Sequence, residues 1–274
     1  MKKESKKRPE IKVLMYHRVI DSAPNDPVQM HYVTTDDFRS QMQIIEWFGY
    51  TPITFIDYKL YREGKLSLPA KPIIITFDDG YLDTYEKAVP IMINHNMRGV
   101  VFAMGDRSIR RASWDQKQHD CETYELMDDN QLRELRKLGF EIGAHTMSHE
   151  NLLDLNLDEA SYQIKCSKQQ IEEVLNEEVY SFAYPYGAVD KRVQSIVEKA
   201  GFAYACGVYS GSPRFDESVL DFRRLAVDQR TPLYKFLIKL LTPYQYLEWS
   251  YHTLKKKQVL PERHVNKRMI TEVS

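Results

Sequence analysis

A chain of 274 residues, 43% hydrophobic and 28% charged, is long enough to bury one substantial core, and a single domain is expected. Lys and Arg total 38 against 39 Asp and Glu, a net charge of -1, so no global field recruits nucleic acid and any charged function must be local. Three scattered cysteines, Cys121, Cys166 and Cys206, give neither a disulfide framework nor a Cys-based zinc site.

Residues 1–10 form a basic extension that is not followed by the apolar stretch a secretory leader needs, and no later segment is long and apolar enough to span a bilayer. As written, the chain is expected in the cytoplasm; a secreted or cell-surface location follows if a leader precedes it. Short β-rich runs then alternate with helical patterns, the signature of βα units around a parallel sheet. The strands are expected at 12–17, 50–54, 72–78, 99–104, 141–144, 181–184, 203–208 and 222–227. Helices are expected at 36–48, with Phe38, Met42 and Ile45 on one face, and at 84–95, 128–138, 157–175 and 191–200. Residues 105–127 form a long polar stretch with the character of a functional rim. Residues 11–228 are assigned to an α/β barrel and 229–274 to a C-terminal helical segment. Within that segment 231–257 is aromatic, apolar and basic, which fits either a pair of helices packed on the barrel or a peripheral contact with a membrane.

In a parallel barrel, functional groups belong at the C-terminal ends of strands. Alternation along the run from Pro72 to Gly80 sends Ile74, Thr76 and Asp78 to one face, so Asp78 should enter the barrel mouth, and Gly80 lets Asp79 turn back toward it. Taken alone, Asp-Asp-Gly is also ordinary turn chemistry. His145 and His149 follow another strand, four residues apart, and would meet on one side of a helical turn. Two imidazoles and one carboxylate make an open site for a divalent metal, zinc above all, with iron, cobalt or nickel also suited. The run Tyr184-Pro185-Tyr186-Gly187 is a third strand end, whose backbone N–H groups near Tyr186 could bind an oxyanion.

Thr76-Phe77-Asp78-Asp79-Gly80, His145-Thr146-Met147-Ser148-His149 and Tyr184-Pro185-Tyr186-Gly187 resemble, in order, the first three motifs of the polysaccharide deacetylases, the family-4 carbohydrate esterases with the NodB homology domain. The resemblance spans about residues 13–228 and implies a distorted (β/α)7 barrel. It implies Asp78 as general base, Asp79, His145 and His149 as metal ligands, and the Tyr186 N–H as an oxyanion donor. Two positions depart from the pattern. Ala183 stands where many members carry an arginine that supports the base, and Arg224 can point inward to replace it. No late Leu-x-His motif is present. The opening Met15-Tyr16-His17-Arg18-Val19 is similar to the poly-β-1,6-N-acetylglucosamine deacetylase branch, in which the acid histidine is moved to the N-terminus, so His17 takes that role in preference to His252 or His264.

The expected activity is hydrolysis of N-acetyl groups from an N-acetylhexosamine-containing glycan, with release of acetate. Trp114 is a candidate surface for stacking a sugar ring. The alternatives are a metal-dependent hydrolase of a small cyclic amide or ureide and a non-catalytic glycan-binding protein.

Overall fold

The computed structural model describes residues 10–23, 31–114 and 123–258. Most of the basic extension, Cys121 and His264 lie outside the described residues. In chain order the elements begin with β1 (Lys12–Tyr16), β2 (Arg18–Ile20), β3 (Tyr32–Thr34), α1 (Thr35–Trp47), β4 (Thr51–Ile53), α2 (Phe55–Arg62) and β5 (Pro72–Phe77). A π-helical turn (Thr84–Ala88) leads into α3 (Val89–Asn94), then β6 (Val100–Ala103), β7 (Arg111–Ala112), β8 (Tyr124–Glu125), α4 (Asp129–Lys137), β9 (Glu141–Ala144) and α5 (Leu157–Leu175). The chain continues through β10 (Ser181–Ala183), α6 (Lys191–Lys199), β11 (Tyr204–Cys206), β12 (Leu225–Ala226), α7 (Leu233–Leu241) and α8 (Tyr244–Gln258).

Seven strands run parallel in the order β11-β10-β9-β6-β5-β1-β12. A bridge from Cys206 to Phe222 joins β11 to the run entering β12, so the ring closes through a few backbone bonds rather than a ladder. β1 pairs with β5 from Ile73 to Phe77, while β4 pairs with Pro72–Ile74 and β6 with Thr76 and Phe77. One edge of β5 is therefore shared by two strands, and this wedge distorts the barrel.

Alternation sorts the strand residues into two cores. Val13, Ile74, Val100, Phe102, Tyr204 and Phe222 fill the barrel, and Leu14, Ile73, Ile75, Val101, Ile142 and Phe182 pack outward beneath the helices. α2 was not anticipated. It begins with a capping box between Thr54 and Asp57 and puts Phe55 and Tyr58 under the barrel, where Phe55 stacks on Phe222 with centroids 5.5 Å apart and Tyr58 meets Phe215 edge-on at 4.8 Å. The bottom is thereby plugged, and only the mouth can admit a ligand.

Three expectations differ from what is observed. The helix expected at 84–95 opens as a π turn, the strand expected at 222–227 keeps only Leu225 and Ala226 in its ladder, and the polar rim contains the β7–β8 hairpin. At the C-terminal segment, Lys12 at the foot of β1 reaches into the end of α7, its Nζ donating to the carbonyls of Lys239 (2.9 Å), Leu240 (2.8 Å) and Thr242 (2.6 Å). Those carbonyls lack helical partners, so one buried ammonium satisfies the helix end and fastens α7 to the barrel. Phe236 and Leu240 complete the contact.

Candidate active site

β5 ends at Phe77, and Asp78 keeps its register, its N–H donating to the Tyr16 carbonyl at 3.0 Å. Asp79 and Gly80 are both left-handed, each with φ of 71°, which turns the Asp79 carboxylate back over the mouth. At Gly80 a Cβ would lie 3.3 Å from that of Ala103, so glycine answers both the conformation and the space. Of the seven left-handed non-glycine residues among those described, Asp79, Thr146, His149 and Tyr186 belong to the three motif turns. Backbone strain is thus concentrated where chemistry is expected.

The two motif histidines do meet, though not on a helical turn. Thr146 (φ 66°) and His149 (φ 61°) are left-handed, so the His145–His149 segment is an irregular loop held from outside. Gln163 on α5 accepts hydrogen bonds from the N–H groups of Met147 (2.9 Å) and Ser148 (3.1 Å), and its amide donates to the Ser148 hydroxyl at 2.9 Å. The N–H groups of Gly105 and Asp106 donate to the carbonyls of Thr146 and Met147, and the Thr146 hydroxyl accepts from His149 N–H. No sequence pattern announced Gln163 as the residue holding this loop.

The result is a convergence of three buried ligand-type atoms. Asp79 Oδ1 lies 3.3 Å from His145 Nε2 and 3.1 Å from His149 Nε2, and all three groups fall within 4.8 Å of one another. Yet Asp79 Oδ1 is buried without an aligned hydrogen-bond donor, as is His149 Nδ1 without a partner. His145 Nδ1 is 2.8 Å from the Ala183 carbonyl, which fixes its proton there and turns the Nε2 lone pair inward. A carboxylate and two imidazole lone pairs aimed at one point fit a divalent cation, and their nitrogen and oxygen donors suit zinc, iron, cobalt or nickel. Burial works to raise the Asp79 carboxyl, but the adjacent imidazoles of His149 and His145 hold it well below the usual range. For His145, burial works downward, and Asp79 and Asp78 outweigh it to hold the imidazole above its ordinary value.

Asp78 sits beside this cluster and is paired differently. Arg224, fully buried, forks onto it with Nη1–Oδ1 at 2.6 Å and Nη2–Oδ2 at 2.8 Å, and is itself held by the Gly207 carbonyl at 2.8 Å and the Thr76 hydroxyl at 3.2 Å. The inward direction expected for Arg224 is the direction observed. Burial pushes Asp78 up, but Arg224, then His145 and His17, outweigh it and leave the carboxyl below the usual range. His17 Nε2 lies 4.0 Å from Asp78 Oδ2. Burial pulls its imidazole down to about 4, although Asp79 and Asp78 favour the charged form. The His31 ring lies 4.9 Å from that of His17, tilted by 31°, a neighbour that nothing in the sequence foretold.

Tyr186 and Trp114 flank His149. The Tyr186 ring meets it edge-on at 4.7 Å, and Trp114 lies flat against it at 4.5 Å with planes 19° apart. Trp114 is only 7% exposed, so the face expected to carry a sugar is covered by an imidazole instead. Since His149 Nδ1 makes no hydrogen bond, ring packing orients this imidazole where a carbonyl orients His145. His252, midway along α8, stacks on Tyr209 at 4.5 Å.

Comparison with known proteins agrees with this geometry. Over 224 residues the chain is 24% identical to YxkH of Bacillus subtilis (strain 168), which carries a polysaccharide deacetylase assignment, covering 82% of this chain and 74% of that one. It is 25% identical over 215 residues to the poly-β-1,6-N-acetyl-D-glucosamine N-deacetylase of Staphylococcus aureus, 70% of this chain and 69% of that protein. The fold is shared with the Streptococcus pyogenes deacetylase PplD solved with acetate (TM-score 0.71, 20% identity, 84% of this chain and 98% of that one). It is also shared with IcaB from Ammonifex degensii (TM-score 0.68, 21% identity, 89% and 97%), so the distorted (β/α)7 barrel is the fold. The polysaccharide deacetylase family profile matches residues 65–205, just over half of the sequence, and the chain belongs to that family of hydrolases.

Proposed function

We propose that this polysaccharide deacetylase is a divalent-metal-dependent enzyme that removes acetyl groups from N-acetylhexosamine units of a glycan. The observation that carries the reading is the buried meeting of Asp79, His145 and His149, with Asp79 Oδ1 lacking an aligned hydrogen-bond donor, beside an Asp78 held ionised by Arg224. Asp79, His145 and His149 would hold the cation, which when bound supplies Lewis-acid polarisation and a water of lowered pKa. The cation is zinc in this reading, with iron, cobalt or nickel compatible with the same donors.

Asp78 acts as the base. Its depressed pKa keeps it ionised at neutral pH, and the Arg224 fork fixes which oxygen lone pairs face the mouth. As water adds to the acetyl carbonyl, Asp78 takes its proton, and the Tyr186 backbone N–H, the donor that the family resemblance implies, stabilises the oxyanion. The C–N bond then breaks as the sugar nitrogen gains a proton, giving acetate and a free amine. His17 delivers that proton. Because burial holds it neutral at rest, it must acquire the proton during turnover, and Asp78 at 4.0 Å is the group that has just taken one from water.

Similarity to the staphylococcal poly-β-1,6-N-acetyl-D-glucosamine N-deacetylase favours a β-1,6-linked substrate. Mass spectrometry of acetate loss across defined N-acetylglucosamine oligomers tests this, with protein stripped of metal and then reloaded. Acetate release that returns with metal, and metal content that collapses in His149→Ala, are expected. Undiminished metal in His149→Ala would sink the ligand assignment, and no acetate from any oligomer with loaded protein would sink the substrate class.

A further inference from the structure

α8 is amphipathic in the reverse of the usual sense. Polar side chains face the protein: Gln245 is buried and donates to Glu10 at 2.7 Å, Glu248 pairs with Arg223 at 3.4 Å, and His252 lies on Tyr209. The apolar stripe Leu247, Tyr251 and Leu254, at the i, i+4, i+7 spacing of one helix face, is left 68%, 60% and 62% exposed. α7 differs in burying an apolar face of its own, yet it too leaves an apolar stripe outside. Phe236 and Leu240 are buried, while Tyr234, Ile238 and Leu241, again at i, i+4, i+7, are 61%, 46% and 44% exposed. A helix ordinarily buries its apolar face, so two successive helices turning one outward mark a surface built for another phase or partner.

Charge selects the occupant. Residues 229–258 contain Arg230, Lys235, Lys239, Lys255, Lys256 and Lys257 against the single acid Glu248, in a chain whose net charge is -1. Glu248 is engaged inward by Arg223, Arg230 is paired with Asp228 and Lys239 is turned onto the Ala226 carbonyl, so the excess positive charge of the stretch rests on Lys235 and, in the sequence, Lys255–Lys257. A second copy meeting the same face about a two-fold axis would set lysines against lysines, whereas anionic headgroups would neutralise them while acyl chains take up the stripes. Neither helix is long and apolar enough to cross a membrane. We propose that α7 and α8 form a monotopic contact with an anionic lipid surface.

The contact also has a direction. α8 starts beside Glu10, below β1, and reaches Tyr209, beyond the end of β11, so its C-terminal end and Lys255–Lys257 in the sequence lie toward the barrel mouth. Lipid contact along this helix lays the flank of the barrel, from foot toward mouth, against the membrane, a placement that does not depend on the catalytic reading.

Co-sedimentation of the full chain with vesicles of phosphatidylcholine alone, and of phosphatidylcholine and phosphatidylglycerol at three to one, tests the proposal. Binding to the anionic vesicles only, weakening as salt is raised, is expected. The combined Leu247→Ser, Tyr251→Ser and Leu254→Ser variant should bind about tenfold more weakly with an unchanged melting temperature, because these side chains are exposed. Replacing Lys255, Lys256 and Lys257 by Gln should cost about fivefold per lysine. Equal binding to both vesicle types would overturn the proposal. So would no vesicle binding together with a concentration-dependent dimer in light scattering that the serine variant dissolves, which would assign the face to a second copy.

Discussion

The two ends of the barrel treat a buried carboxylate in opposite ways. At the mouth, Asp78 and Asp79 are each 3% exposed and burial is the largest influence on both, yet both lie below the usual carboxylate range because Arg224 and the histidines oppose it. At the foot, Glu141 is 1% exposed, its hydrogen bonds come from neutral donors such as the Ser181 hydroxyl at 2.6 Å and the Ile56 N–H at 2.9 Å, and the Arg136 cation opposes burial less than these do. Burial then prevails and lifts its carboxyl from the usual 4.5 to about 7. The difference teaches that depth alone does not make a reactive acid or base; the partner charge decides. Asp78 is equipped to accept a proton, whereas Glu141 caps the start of α2 and holds the plug in place.

The largest effect is expected at the proton donor. His17→Ala should lower turnover by about a hundredfold to ten-thousandfold while the protein keeps its metal and fold, and His252→Ala should be nearly silent. Steady-state kinetics with metal analysis would reveal the reverse pattern if the assignment were wrong. Because His17 is neutral at rest, kcat/KM should not decline as pH rises through 6 to 7; a falling limb centred near the ordinary histidine value would contradict a proton acquired within turnover.

Next in size is the Arg224 fork. Arg224→Met leaves Asp78 buried without its cation, which should cost about 3–5 kcal/mol of stability and lower the rate at neutral pH by about a hundredfold as the base loses its ionised form. The distinguishing readout is the acid limb of the pH–rate profile, which should move upward as the Asp78 pKa rises; a uniform loss at every pH would point to misfolding instead.

The foot of the barrel sharpens the comparison from the other side. Glu141 has a folded pKa above its unfolded one, so its contribution is complete below pH 4.5 and is lost as pH rises through about 7. Stability should therefore fall by about 3 kcal/mol over that window from this residue, and Glu141→Gln should flatten the decline in urea titrations. An equally steep decline in the variant would refute the role. The smallest effect is expected at the loop support, where Gln163→Ala should weaken metal binding about tenfold by freeing the Met147 and Ser148 N–H groups, leaving Asp78 and His17 in place. Competition with a chelator would measure it.

The barrel and the convergence of charges were legible because period-two alternation runs unbroken through β1 and β5, so the inward direction of Asp78 and the placement of His17 at its strand end follow from counting. Arg224 was legible for the same reason. What was not legible was carried by groups that alternation does not address. The Ala183 carbonyl that fixes His145, the Gln163 amide that holds the histidine loop, and Phe55 and Tyr58 beneath the barrel all act across long sequence separations. Spacing misled once: four residues between His145 and His149 suggested a helical turn, but left-handed Thr146 and His149 bring the rings together by another path. Trp114 could equally be a sugar-stacking surface or a packed side chain by sequence, and its burial against His149 depends on tertiary contacts alone.

The tie between Lys12 and the end of α7 joins residues 227 to 230 positions apart, and the same strand waits for Leu225 to pair with Leu14. At about 5–20 residues per second of synthesis, β1 leaves the ribosome roughly 10 to 40 s before its last partner exists. For that interval one edge of the first strand and a lysine destined for burial stay uncommitted. Closure of the ring is therefore among the last folding events, and the nascent chain presents an open β edge that a chaperone or a neighbouring polypeptide can reach first.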